Sequence, residues 1–222
     1  MRRTATLLLL LAGALEGAVV IDRIAVAVNK HAIKLSDLER DARLTEFMNR
    51  EPLDLGEAEL RKSADRLIDQ ALIRDEIARG GYRRPGESDA EGLLKRMVHD
   101  RFAGSDARLR EALTRYGLSE GELRAYLEWQ LTVLAFIDQR FRPAVQVTDE
   151  ETQQYYNQHL AELKREFPRD NSFATLEAKI RARLEGDQVN QNFSAWLAET
   201  RKSARIVYEE GAFGDQTRQN HP

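Results

Sequence analysis

The sequence predicts a mainly α-helical fold: a helical bundle carrying a small antiparallel sheet formed by an N-terminal hairpin and a C-terminal strand. Three observations predict it. Apolar residues recur at helical spacing through most of the 222 residues. One short segment near each end, "IAVAV" and "SARIVYEE", has strand spacing instead. Finally, 42% hydrophobic and 32% charged residues with no cysteine describe a chain held by packing, with solvated helix faces and no disulfides.

Residues 1–18 read as a cleaved secretory signal. "MRR" is a basic start, "TATLLLLLAGAL" an apolar run, and Ala12-Gly13-Ala14 a small-x-small cleavage pattern, with a later cut after Gly17 or Ala18 as the alternative. A membrane anchor is the rival reading, but the run is too short to span and is interrupted by Glu16, Asp22 and Arg23. Export without a stable membrane anchor is therefore expected.

In the first strand Ile24, Val26 and Val28 share one face and Ala25 and Ala27 the other, so both faces need cover. Asn29-Lys30-His31 supplies a turn, Ala32 to Leu35 a return strand, and Ser36 with Glu39 a capping box for a helix reaching Asn49. A second helix carries Leu60, Ala64, Leu67, Ile68, Ala71 and Leu72 and ends at Gly80-Gly81. Ser88 or Asp89 caps a third, through Leu93, Met97, Val98 and Phe102, and Ser105 a fourth, through Leu109 and Leu113.

The fifth helix, from a Ser119–Glu122 capping box to Phe141, is apolar over most of its circumference. Leu123, Leu127, Leu131, Leu134 and Ile137 form one stripe, and Trp129, Val133 and Phe136 another, which suits a central helix with several neighbours. Thr148 and Glu151 start a sixth helix running to Pro168, and a seventh from Ser172 continues past Gly186 to Leu197. In the closing strand Ala204, Ile206 and Tyr208 alternate with Arg205, Val207 and Glu209. Neither terminal strand can satisfy its backbone alone, so the two are expected to pair. The expected organisation is a helical domain over 19–147, a segment over 148–211 whose last helix and strand complete it, and a flexible tail over 212–222.

A net charge of −3, from 34 basic and 37 acidic residues spread along the chain, gives no basic stripe for nucleic acid. His31, His99, His159 and His221 show no metal-ligand spacing, and there is no phosphate loop and no GxSxG. Carboxylate pairs such as Glu150-Glu151 and Glu209-Glu210 fit solvated faces. No catalytic residue, metal or cofactor is expected.

The hairpin "VVIDRIAVAVNKHAIKLSDLER", the capped helices, "VQVTDEETQQYYNQHL" and the closing "NFSAWLAETRKSARIVYEE" together resemble the SurA-type periplasmic chaperones, the parvulin-like chaperone group. The resemblance spans roughly residues 19–211. It implies an N-terminal helical domain completed by the C-terminal helix and strand, and an ATP-independent activity of holding unfolded exported proteins, outer-membrane proteins among them. In that group a parvulin isomerase domain sits before the last helix. Here Thr148 to Pro168 is 21 residues, too few for a domain, so the chain resembles the chaperone module alone and is expected not to be an enzyme. Such a holdase needs an adaptable apolar surface. The candidates for peptide binding are Phe47, Met48, Met97, Phe102, Tyr126, Trp129, Val133, Phe136 and Phe141, each with ordinary core as its competing reading. An isomerase-family protein with residual activity and a dedicated envelope interaction or assembly protein are the alternatives. A homodimer by exchange of helices is compatible with the flexible connection "FPRDNSF".

Overall fold

A computed structural model of the chain describes residues 22–209 and 211–213. The expected signal, 1–18, and the tail beyond 213 lie outside the described residues. The elements run β1 (Ile24–Val28), β2 (His31–Lys34), α1 (Leu35–Asn49), α2 (Glu57–Gly80), α3 (Glu87–Phe102), α4 (Asp106–Arg115), α5 (Glu120–Phe141), a 3-10 turn (Arg142–Ala144), α6 (Asp149–Gln158), α7 (Leu160–Glu166), α8 (Phe173–Ser203) and β3 (Ile206–Tyr208).

The sheet order is β2-β1-β3, both pairs antiparallel, so the opening strand is central and takes the closing strand on its free side. Asn29 adopts φ 52, a left-handed conformation that asparagine tolerates in a two-residue hairpin turn. The register shifts between Ile24 and Val26. That irregularity breaks the expected alternation of faces: Ala25 and Val26 are both fully buried, whereas Ile24 is 47% exposed.

The sheet packs Val26, Val28 and Ile33 onto Leu60, Ala64, Ile68 and Leu72 of α2, with Leu197 of α8 at the margin. Ala212 and Phe213 belong to this core as well. The expectation that the flexible tail begins at 212 is thus corrected for its first two residues. Gly211, at φ 78, turns the chain, and the Phe213 ring lies 4.7 Å from the Arg61 guanidinium.

The start of α1 also differs from expectation. The helix begins at Leu35, so Ser36 falls inside its first turn, where its hydroxyl donates to Asp22 at 2.6 Å, and Asp37 caps the helix by accepting from the Lys34 amide at 3.1 Å. Likewise α3 starts before Ser88, with the Gly86 amide donating to Asp89. The capping boxes at Ser119–Glu122 and Thr148–Glu151 form as the sequence indicates. The single helix expected from Thr148 to Pro168 is two: His159 closes α6 with its amide and opens α7 with its carbonyl.

The long α8 joins two cores. Its first half sets Leu176 and Ile180 against Leu163 of α7, and its second half sets Val189, Phe193 and Trp196 against Phe136 and Phe141 of α5. The connection before it, expected to be flexible, is tied down: Tyr156 donates to the Asn171 carbonyl at 2.9 Å, and Asp170 accepts from Ser172 and Thr175. Among the described residues no helix is long and apolar enough to cross a membrane.

Candidate functional site

The central helix α5 divides its contacts between two cores. Its first turns put Leu123 and Leu127 into a cluster with Leu44 and Phe47 of α1 and with α3 and α4. Its last turns put Phe136 and Phe141 into a cluster with Ile73 and Ile77 of α2 and with α8. Along the first turns of α5, from Gly121 to Trp129, a groove of about 710 Å³ opens between this helix and α1, α2 and β2.

The floor of the groove is α2, through Leu67, Gln70, Ala71 and Arg74; one wall is β2 and α1, through Ala32, Ile33 and Leu44; the other is α5, through Ala125, Tyr126 and Trp129. Small residues make the space. Ala71 and Ala125 occupy helical positions at which a larger side chain would bridge the walls. A second trough of about 620 Å³ shares His31, Arg74, Ala125 and Trp129 with the first and continues past Ile77 and Thr132. The Arg74 guanidinium lies over the Trp129 ring, 3.8 Å from its centroid, and marks the waist between the two.

The polar groups of the first trough are mostly paired. Arg40 bridges Asp37 at 3.0 Å and Glu122 at 3.1 Å, tying α1 to α5 at one end. Asp41, 7% exposed, accepts from Arg66 at 2.7 Å. Burial pushes the Asp41 carboxyl up against the pull of Arg66, and burial likewise raises the Tyr126 phenol. At the waist His31 Nε2 lies 2.8 Å from Asp75. Desolvation, with the charge of Arg84 adding, holds Arg74 below the usual guanidinium range.

The edge of β2 also faces this groove. Val28 and His31 flank the two-residue turn and bond to each other, so the next pair, Ala27 and Ala32, points its backbone groups the other way. Ala27 uses its groups on the β3 side, opposite Val207. The Ala32 amide and carbonyl are thus left on the free edge of β2, and Ala32 lines the groove.

Of the nine residues singled out for peptide binding, only Tyr126 and Trp129 line the groove. Phe47, Met97, Phe136 and Phe141 are core and are corrected as surface candidates. Phe47 stacks on Phe102 at 6.3 Å and meets Tyr116 edge-on at 5.6 Å, while the edge-on partners of Phe136 are Tyr82, Phe141 and Trp196. Met48 and Phe102 are half-buried against the first of these clusters and Val133 against the second. Sequence reasoning missed Arg74, Ala32 and Ala125. Arg74 carried a readable signal: it follows Leu67 and Ala71 at helical spacing, a cation on an apolar stripe.

Among the described residues no group of three or more His, Asp or Glu is arranged to hold a metal ion. No protein-family model matches the chain, and no curated protein matches it.

Proposed function

We propose that the protein is an ATP-independent holdase of the cell envelope, keeping unfolded exported proteins, outer-membrane proteins among them, from aggregating by taking their extended segments into the groove. The observation that carries this reading is the groove itself: about 710 Å³, walled by Leu44, Leu67, Tyr126 and Trp129, and bordered by the outward backbone groups of Ala32. An extended chain laid there pairs its backbone with Ala32 while its apolar side chains enter the trough, which is strand addition with side-chain pockets. Main-chain bonding is indifferent to sequence, and rings with aliphatic walls accept many side chains, so many clients fit one site. The resemblance of the hairpin and the closing helix and strand to the SurA-type chaperones supports the same reading.

The test is aggregation of an outer-membrane protein diluted from urea, followed by light scattering without nucleotide. The purified protein suppresses scattering, and Ala125→Trp, which fills the groove from an exposed position on α5, weakens suppression while circular dichroism stays unchanged. Scattering that is unaffected at several-fold excess of protein contradicts the holdase reading and favours a dedicated assembly partner. Suppression that Ala125→Trp leaves intact moves the client off this groove.

A further inference from the structure

The two halves of the trough differ in charge, and the difference points to a kind of client segment. In the half toward Leu44 and Tyr126 the charges close on one another, Arg40 with Asp37 and Glu122, and Asp41 with Arg66. In the half toward Thr132, His31 is matched to Asp75. Lys30, Arg74 and Arg84 line that half, and no carboxylate among the described residues pairs with any of them. Asp75, bonded to His31, and Glu128, whose carboxylate is unpaired among the described residues, are the acidic residues on that wall, so three unpaired cations face two carboxylates.

Arg74 is the group best placed to use this imbalance. Its guanidinium carbon lies 3.8 Å from the Trp129 ring centroid, and none of its N–H donors has an acceptor among the described residues. Both halves of the trough share Arg74, so a chain crossing it continues on either side and meets the guanidinium with a side chain, not with a terminus. We propose that the groove selects extended segments in which apolar residues are followed by an acidic residue, the apolar side chains lying between Leu67 and Tyr126 and the side-chain carboxylate taken in a fork by Arg74. Lys30 and Arg84 extend the preference to a second acid beyond the first. The inference rests on the groove being the client site, and it adds the chemical class of the segment bound there.

The test uses a fluorescent, C-terminally amidated peptide in which aromatic and aliphatic residues precede two aspartates, and its counterpart with asparagines, titrated with the intact protein by anisotropy. The aspartate peptide binds about tenfold more tightly at low salt, the scale of a charge-assisted bond, and the gap narrows as salt is added. Arg74→Gln removes the gap, Arg74→Lys keeps part of it through its charge, and Glu128→Gln widens it. Equal binding of the two peptides, or a gap unchanged in Arg74→Gln, overturns the acid preference while leaving the groove as a client site. A peptide with a free C-terminus and no acidic side chain binding as tightly as the aspartate peptide also overturns it, because the carboxylate would then be a chain end. If neither peptide binds, the groove reading fails and the inference falls with it.

Discussion

Arg101 and Arg74 both lie over aromatic rings, and their surroundings are opposite. Arg101 sits 5.4 Å from the Phe47 centroid and 5.9 Å from that of Phe102, donates to the Phe47 carbonyl at 3.0 Å, and turns its other nitrogen toward the Met48 and Met97 sulfurs. Arg74 lies over Trp129 alone, beside open space, with no acceptor among the described residues. The first cation closes a core, bridging the end of α1 to the end of α3. The second leaves its donors facing a groove. Methionine and aromatic content drew attention to the first region, yet a soft, ring-rich wall around a cation bonded to a backbone carbonyl is packing, even with the Arg101 Nε buried without a partner. Unspent donors beside a cavity are what distinguish a place where something else binds.

Substitutions separate the two regions by what they change. Phe47→Ala empties the platform under Arg101 and is expected to cost about 3–5 kcal/mol in urea unfolding, as for a large buried ring. A loss below about 1 kcal/mol would mean that this cluster is loosely packed and closer in kind to the groove. Arg101→Ala removes the bond to the Phe47 carbonyl and the contact of its other terminal nitrogen with the Met97 sulfur, and is expected to cost about 2 kcal/mol in the same measurement.

The closed region also carries a pH signature. Glu46, 4% exposed, accepts from the Asp54 amide with one oxygen, while its other oxygen is buried without a partner. Burial, with the charges of Glu59, Asp54 and Glu51 adding, holds its carboxyl above the usual range. The folded state therefore keeps this proton to higher pH than the unfolded chain. Its contribution to stability is fully present below the unfolded value of 4.5 and is lost as pH rises through the folded value. Glu46→Gln is expected to stabilise the protein by about 1 kcal/mol at pH 7 and to flatten that part of the stability–pH curve. A curve identical to that of the unaltered protein would show that Glu46 ionises freely. The smallest change belongs to the open region: Arg74→Gln is expected to move stability by less than about 1 kcal/mol, the worth of one exposed cation–π contact, while altering peptide binding. A large destabilisation there would erase the distinction between the two arginines.

Much of the fold was legible because its signals are local. The capping boxes at Ser119 and Thr148, the glycine stop after α2 and the strand alternation at Ile206–Tyr208 each depend on residues a few positions apart. The pairing of β1 with β3 followed from the need of two lone strands for partners. What was not legible depends on distant residues. Ser36 lies inside the first turn of α1, its hydroxyl donating to Asp22 of the preceding segment, and Phe213 is core because Gly211 turns it back toward α2. The groove is of the same kind. The α5 pattern showed correctly that the helix has neighbours on several sides, but not that a groove opens beside Ala125 and Trp129 on one of them. Nor did it show that Leu134, counted in the apolar stripe, stands 62% exposed.

Leu134 supplies the comparison for the most direct test of the account. A photoreactive amino acid placed at Ala125, inside the groove, and separately at Leu134, the most exposed large apolar residue among those described, reports which surface an unfolded client touches. Mixed with an outer-membrane protein diluted from urea and illuminated, the Ala125 position is expected to crosslink to the client and the Leu134 position to remain largely unlinked. Crosslinking from Leu134 with none from Ala125 would contradict the assignment of the groove as the binding site.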